Sequence, residues 1–96
     1  MAFRLTPRAQ RDFESIGDYL AIRSPKAAAD LAERFLDRWD LLATQPHSGQ
    51  AVDHVPGLRR LVMGEYIAFY RFDDGDIVIV RIFHGRRDLS GEDISG

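Results

Sequence analysis

His84 stands in a segment whose residue types could act on a phosphodiester. It follows an apolar run and precedes Gly85, Arg86, Arg87 and Asp88. An imidazole beside guanidinium groups could serve as a general acid or base on RNA, with arginine stabilising the charge that builds on the phosphate. The alternative is structural: the histidine caps a strand end and the neighbouring charges form surface pairs. The residues alone favour the structural interpretation.

Arginines also interrupt two apolar runs, Tyr66–Phe72 and Ile77–Phe83, that flank the turn signal Asp73-Asp74-Gly75-Asp76. An antiparallel sheet can bury one face and present the other to solvent, so this segment predicts a cationic sheet surface. Of the 13 basic residues, only Lys26 is lysine. Arginine favours planar, bidentate contacts with carboxylates and phosphates and is common at interfaces. An arginine-rich codon usage explains the bias equally well. The candidate contacts are Arg59, Arg60, Arg71, Arg81, Arg86 and Arg87.

Composition limits the functional classes. A chain of 96 residues, 45% of them hydrophobic, is typical of one small globular domain. The net charge of -2 and the pI of about 5.8 are a poor match for a protein that binds free nucleic acid.

The absence of cysteine excludes disulfides and thiolate metal sites. The spacing of His47 and His54 matches no metal motif, and no cofactor is expected. Without a signal-peptide core or a membrane-length apolar run, a cytoplasmic protein with no membrane partner is predicted.

Two helices are predicted in the first half of the chain. Ala2–Leu5 alternates apolar and polar residues and predicts an edge strand. Thr6-Pro7 and Ser24-Pro25 each combine a good N-cap with a proline suited to the first helical position. A residue before proline disfavours helical angles, so the first helix should end near Arg23. Pro46 closes the second helix.

Each helix carries an apolar stripe. Because the linker between them is short, the helices should form an antiparallel hairpin with both stripes against one layer. Stripes with helical period are typical of core, but in so small a domain part of this surface could remain for a partner to cover. The candidate partner-groove residues are Phe13, Ile16 and Leu20 on the first helix and Leu31, Phe35 and Trp39 on the second.

A loop over residues 46–57 leads into three predicted strands: Leu58–Met63, Tyr66–Phe72 and Ile77–Phe83. Gly64-Glu65 and residues 73–76 form the turns of an antiparallel meander. The predicted architecture is an α+β domain of order β-α-α-β-β-β: an N-terminal strand, an antiparallel helical hairpin and a three-stranded meander. Residues 1–96 form one domain, in which residues 89–96 are predicted to be a flexible tail.

In this order, the segments resemble the ParE toxins of the ParE/RelE superfamily of type II toxin–antitoxin systems, over nearly the whole chain. The resemblance is carried by the segments LTPRA at 5–9, IGDY at 16–19, 27–35, GLRR at 57–60, YIAFYR at 66–71 and IFHGRRD at 82–88. The last segment is the most specific, since this ending is frequent in the group. The superfamily's fold agrees with the architecture predicted above.

The resemblance implies one of two activities. RelE-like members cleave messenger RNA in the ribosomal A site, whereas ParE-like members poison DNA gyrase. RelE-like nucleases typically carry an arginine directly after the aromatic residue of the middle strand, where this chain has Ile67, and often end with a catalytic tyrosine that residues 89–96 lack. Their loops are usually rich in lysine. Losing such groups would leave little nuclease activity. Gyrase inhibition by binding, without catalysis, is therefore the leading hypothesis.

The alternatives are a ribosome-dependent endoribonuclease and a superfamily member with another target or with lost toxicity. If the chain were a nuclease, its catalytic residues would be His84, Arg86, Arg87 and Arg71. For gyrase inhibition the candidate target contacts are Arg59, Arg60, Arg71, Arg81, His84, Arg86 and Arg87.

The resemblance also implies a partner. A cognate ParD-like antitoxin would bind DNA through its N-terminal half and fold its C-terminal half onto the toxin, in the groove formed by the two apolar stripes. The toxin itself would make no contact with DNA bases. An antitoxin tail that is disordered until it binds can lay amphipathic segments across such a groove.

Overall fold

One mixed sheet with two helices packed on it makes up the fold, in a computed structural model that describes residues 3–85. The elements in chain order are β1 Phe3–Leu5, α1 Pro7–Arg23, α2 Pro25–Thr44, β2 Gln50–Ala51, β3 Arg59–Met63, β4 Tyr66–Asp73 and β5 Asp76–His84. The strand order is β1-β5-β4-β3-β2, with β1 parallel to β5 and the other neighbours antiparallel. This confirms the predicted α+β fold. Neither helix is long and apolar enough to cross a membrane. The predicted tail, 89–96, lies outside the described residues.

Local capping starts both helices where the sequence predicted. The Thr6 hydroxyl accepts a hydrogen bond from the Ala9 N–H at 3.1 Å, and the Ser24 hydroxyl accepts one from the Ala27 N–H at 3.2 Å. A proline follows each cap at the first helical position. These bonds satisfy N–H groups that have no partner within the helix. The first helix ends at Arg23, as predicted.

The meander is confirmed, with one addition. The predicted loop 46–57 contains the short strand β2, which pairs Gln50 with Arg60 and Ala51 with Arg59. Two exposed residues carry no alternating pattern, so only the pairing with β3 identifies them as a strand. At the hairpin between β4 and β5, Asp74 and Gly75 have φ of 54° and 84°. Positive φ at both central residues is what a type I′ turn requires, and this turn matches the twist of its strands.

A bulge in β5 decides which residues face the helices. Tyr70 pairs with Ile79 and Phe69 pairs with Arg81, so Val80 is an extra residue on β5. Strict alternation would place Ile82 on the opposite face from Ile79. The bulge returns Ile82 to the helix side, where it packs in the same cluster as Ile79. The core beneath the helices therefore continues to the end of the strand.

Aromatic side chains fill the centre of this core. The Trp39 ring is fully buried, with its centroid 5.6 Å from that of Phe3, 5.6 Å from that of Phe13 and 5.5 Å from that of Phe35. Phe35 is also fully buried, and Leu31 nearly so. These three α2 residues were candidates for a partner groove; all three belong to the core because their stripe faces the sheet, and Leu31 also lines the groove between the helices.

The other face of the sheet, here called the second face, is not simply cationic. Leu58, Phe69, Val80 and Phe83 form a separate buried cluster there, with Val52 and Val55 packed against it. The loop between β2 and β3 thus covers part of a face that the alternating pattern predicted to be open. The area left for exposed arginines is correspondingly smaller.

Tyr70 ties the loop before β2 to the sheet. Its hydroxyl donates to the Pro46 carbonyl at 2.8 Å and accepts from the Gly49 N–H at 2.9 Å. A Cβ on Gly49 would lie 2.5 Å from this hydroxyl, which is too close for any side chain. The ring is fully buried, and burial raises the pKa of Tyr70. The hydroxyl therefore stays protonated at neutral pH and can hold both loop residues.

Replacing Tyr70 with phenylalanine tests this contact. Tyr70→Phe keeps the ring but leaves the Gly49 N–H and the Pro46 carbonyl without their partner, which should lower the free energy of unfolding by about 1–3 kcal/mol. Urea denaturation measures the change. Tyr19→Phe removes a hydroxyl from an exposed ring and serves as the control. Equal stability of the two variants would contradict the proposed role of the hydroxyl.

Candidate functional site: the outer edge of strand β5 and the sheet faces

The outer edge of β5 changes partners along its length. Strand β1 pairs with residues 77–79 only. Beyond that point Thr6 takes over: its N–H donates to the Ile79 carbonyl at 3.0 Å, and its hydroxyl donates to the Val80 carbonyl at 2.9 Å. Next along the strand, the Ile82 N–H donates to the Asp12 carboxylate at 3.0 Å. Beyond residue 79, the cap and first turns of α1 thus supply the hydrogen-bond partners that a neighbouring strand would otherwise give to the β5 backbone.

The same carboxylate binds Arg81. Arg81 Nε donates to Asp12 Oδ2 at 2.7 Å, and Nη2 donates to Oδ1 at 3.3 Å. The two side chains are only 15% and 18% exposed, and the guanidinium lies 4.5 Å from the centroid of the Phe83 ring. Bidentate, partly buried pairs of this kind are strong and directional. Arg81 was a candidate target contact; in the structure it is a clamp between α1 and β5, because its guanidinium already satisfies a half-buried carboxylate.

His84 lies at the far end of β5, opposite Tyr66 on β4. The two ring centroids are 5.0 Å apart, and His84 Nε2 is 3.5 Å from Glu65 Oε2. The His84 side chain is 62% exposed. Burial raises the pKa of Tyr66, with smaller contributions from the charges of Glu65 and Tyr19. A pocket of about 250 Å³ opens here, lined by Ser15, Ile16, Tyr19, Tyr66 and His84.

Arg71 is remote from this pocket. It pairs with Val78 near the hairpin, whereas His84 pairs with Tyr66 at the opposite end of the same two strands. Five residues of strand separate Tyr66 from Arg71, which is roughly 17 Å at about 3.4 Å per residue. His84 and Arg71 therefore do not converge on one phosphate.

The remaining arginines divide between the two faces. Arg59 pairs with Tyr70 on the helix side and donates to the Gly49 carbonyl at 2.7 Å. Arg60 pairs with Phe69 on the second face and donates to the Gln50 side chain at 3.0 Å. Arg71, two residues after Phe69, lies on the second face as well. Arg86 and Arg87 lie outside the described residues, so their predicted roles stay predictions.

A shallow groove of about 230 Å³ runs between the two helices. Phe13, Ile16 and Leu31 contribute to it, and small residues such as Gly17 and Ala28 keep it open. Leu20 is partly buried against the same core. Three of the six candidate groove residues, Phe13, Ile16 and Leu31, therefore line the groove between the helices. Within residues 3–85, no three histidine, aspartate or glutamate side chains lie close enough together to hold a metal ion.

A sequence model described as the ParE toxin of the type II toxin–antitoxin system parDE matches residues 3–89. The chain belongs to this ParE toxin family. Its fold is similar to that of a chain from the chromosomal ParDE system of P. aeruginosa, with a TM-score of 0.74 and 23% identity over 90% of this chain and 97% of that one. It is also similar to a chain of the RelBE2 toxin–antitoxin complex of Mycobacterium tuberculosis, with a TM-score of 0.61 and 27% identity over 86% and 95% of the two chains. No curated protein sequence matches significantly.

In this ParE-family chain, sequence reasoning missed the role of Asp12. A signal was present: Asp12 directly precedes the stripe residue Phe13 and lies one helical turn before Ile16, so it borders the buried face of α1. An acid at the margin of an apolar stripe needs a partner once the helix packs. Nothing in the local pattern identified that partner as Arg81.

Removing the carboxylate tests the clamp. Asp12→Ala leaves Arg81 and the Ile82 N–H without their acceptor, and should lower the free energy of unfolding by about 2–4 kcal/mol. Asp18→Ala removes an exposed carboxylate from the same helix and should change stability little. Chemical denaturation of both variants measures the difference. A loss in Asp12→Ala no larger than that in Asp18→Ala would refute the clamp.

The two buried tyrosines predict a loss of stability in alkali. Burial raises the pKa of Tyr66 and Tyr70 above the usual 10.0, so the unfolded chain releases these protons at lower pH than the folded one. Their contribution is therefore intact below pH 10 and is lost as the pH rises through the folded pKa. Urea denaturation between pH 8.5 and 11.5 should show a steeper decline in the wild type than in Tyr66→Phe/Tyr70→Phe. Parallel declines would contradict the assignment.

Proposed function

We propose that this toxin inhibits DNA gyrase by binding to it, without catalysis of its own. One observation favours binding over catalysis: the described groups that could act on a phosphate lie far apart. His84 and Arg71 lie at opposite ends of the β4–β5 pair, and Arg81 is occupied by Asp12. Phosphate cleavage needs an acid or base and a charge-stabilising group on the same reacting centre. Target binding has no such requirement.

Ile67 supports the same conclusion. At this position the resemblance implies an arginine in RelE-like nucleases, whereas here an apolar side chain packs against the buried cluster of the second face. An arginine there would project from the middle of the sheet toward substrate. The isoleucine instead adds to the apolar surface of the second face, which suits a protein target better than an RNA backbone.

Among the candidate arginine contacts with gyrase, Arg60 and Arg71 are the ones that the described part of the chain leaves accessible. Both lie on the second face, flanking the buried Phe69. Arg60 makes only an exposed bond to Gln50, and Arg71 makes no ion pair with any residue between 3 and 85. Guanidinium groups on a rigid strand can form bidentate pairs with carboxylates of a protein partner.

A cognate ParD-like antitoxin is the proposed neutralising partner, in the cytoplasm. Two solved structures with a similar fold come from toxin–antitoxin systems, ParDE in one and RelBE2 in the other. The groove between α1 and α2 supports this partner, because Phe13, Ile16 and Leu31 leave apolar surface that an amphipathic segment could cover.

A second candidate, a ribosome-dependent endoribonuclease, is favoured by one observation. His84 is exposed beside the Tyr66 ring and lines a pocket together with Ser15. An imidazole and a protonated phenol together could transfer protons on RNA. In that case His84→Ala would abolish toxicity while the fold stayed intact.

A supercoiling assay with purified toxin, gyrase, ATP and relaxed plasmid tests the proposal. Wild-type toxin should block supercoiling and trap cleaved DNA. Arg60→Ala/Arg71→Ala should weaken inhibition at least about tenfold, because arginines at interfaces often each carry 1 kcal/mol or more. Arg11→Ala, an exposed α1 arginine, is the matched control.

His84→Ala separates the two candidate functions. It should remain inhibitory toward gyrase if the toxin acts by binding through Arg60 and Arg71. Absence of gyrase inhibition by wild-type toxin, together with A-site cleavage in a translation extract that His84→Ala abolishes, would favour the nuclease instead.

A further inference from the structure

The pocket beside His84, here called the aromatic pocket, is bounded mainly by rings. It is lined by Ser15, Ile16, Tyr19, Tyr66 and His84. Tyr66 is buried and forms the floor, whereas Tyr19 on α1 and His84 on β5 are both more than half exposed. The faces of aromatic rings carry negative charge density and attract cations. A pocket bounded by three rings therefore favours a cation over an anion.

Tyr19 already binds one cation within the chain. The guanidinium carbon of Arg23 lies 4.1 Å from the centroid of the Tyr19 ring. Arg23 follows Tyr19 by one helical turn, whereas Ser15, which lines the aromatic pocket, precedes it by one turn. Since Arg23 is not among the described residues that line the pocket, its guanidinium and the pocket lie on different sides of the ring. The pocket side of the ring is left for a cation from outside.

A carboxylate at the rim adds negative charge to the aromatic pocket. Glu65 Oε2 lies 3.5 Å from His84 Nε2, and the Glu65 side chain is 82% exposed. His84 is its only ion-pair partner within residues 3–85, and an imidazole ordinarily carries little charge at pH 8. Burial raises the pKa of Tyr66, and the charge of Glu65 raises it further, so the field of the carboxylate reaches the floor of the pocket.

The size of the aromatic pocket indicates a side chain of another protein as its ligand. Its volume of about 250 Å³ is below the range of about 300–1,000 Å³ that is typical of small-molecule sites, and it opens to solvent between Tyr19 and His84. Arginine suits it better than lysine, because a planar guanidinium stacks on ring faces, as Arg23 does on Tyr19. Its N–H groups also need acceptors, which the Glu65 carboxylate provides.

We propose that the aromatic pocket binds an arginine side chain of a protein partner. The guanidinium lies between the rings of Tyr19 and His84 with Glu65 as its counter-ion, and the methylene groups of the arginine pack against Ile16. The proposed gyrase contacts offer cations to a partner, whereas this pocket accepts one. The inference therefore goes beyond the proposed function and does not depend on it.

The first test is an NMR titration at pH 8 with the tripeptide glycine–arginine–glycine, blocked at both ends. Its control replaces arginine by citrulline, which has a similar shape without the charge. The ring signals of Tyr19, Tyr66 and His84 should shift with the arginine peptide and not with the citrulline peptide. Equal shifts with both peptides, or a shift with a ribodinucleotide and not with the arginine peptide, would overturn the proposal.

The second test removes the two recognition elements separately. Tyr19→Leu removes the ring face and Glu65→Gln removes the charge; each should weaken binding of the arginine peptide about threefold or more. Both side chains are exposed, and thermal denaturation establishes that the variants fold. Tyr19→Phe keeps the ring and should restore binding, and Glu33→Gln removes an exposed carboxylate from α2, which contributes no residue to the pocket. Wild-type affinity in Tyr19→Leu and Glu65→Gln, or an equal loss in Glu33→Gln, contradicts the assignment.

The chain's own Arg86 and Arg87 are the competing occupants, since they follow His84 closely in the sequence. The same titration of Arg86→Gln/Arg87→Gln addresses them. A response in this variant without one in the wild type would mean that the chain fills the pocket itself, and would overturn the assignment to a partner. An equal response in both supports it. The titrations use neither gyrase nor an antitoxin, so their outcome is independent of the proposed function.

Discussion

The outer edge of β5, which a neighbouring strand covers only in part, is the constraint on which the arrangement of the domain depends. β1 covers only residues 77–79, and the backbone beyond must be satisfied by other means. Thr6 and Asp12 do so from the start of α1, which fixes the helix against the strand. The position of α1 in turn sets where α2 packs, since the two helices are joined by a single capping residue, Ser24. A stabilising requirement of the sheet thus also determines where the surfaces for partners lie.

The same constraint changes how the arginines are interpreted. An arginine-rich sheet predicts a broad cationic face, but Arg81 is held by Asp12, and a buried cluster that includes Phe69 and Phe83 occupies part of the second face. On the second face, the arginines that remain accessible among the residues described are Arg60 and Arg71. Such a surface is suited to contacts with carboxylates of a protein rather than to a continuous phosphate backbone.

The sequence by itself determined the helix starts, the hairpin turn and the α+β order, because each depends on neighbouring residues: Thr6 and Ser24 as caps, and Asp74-Gly75 with positive φ. Only the tertiary structure decided that β2 exists and that Arg81 is a clamp. Arg81 and Asp12 are 69 residues apart in the chain, and their contact depends on how α1 packs against β5. Local periodicity reports which side of an element is apolar. This periodicity does not identify the distant charged residue that will pair with a residue at the border of the apolar side, as Arg81 pairs with Asp12.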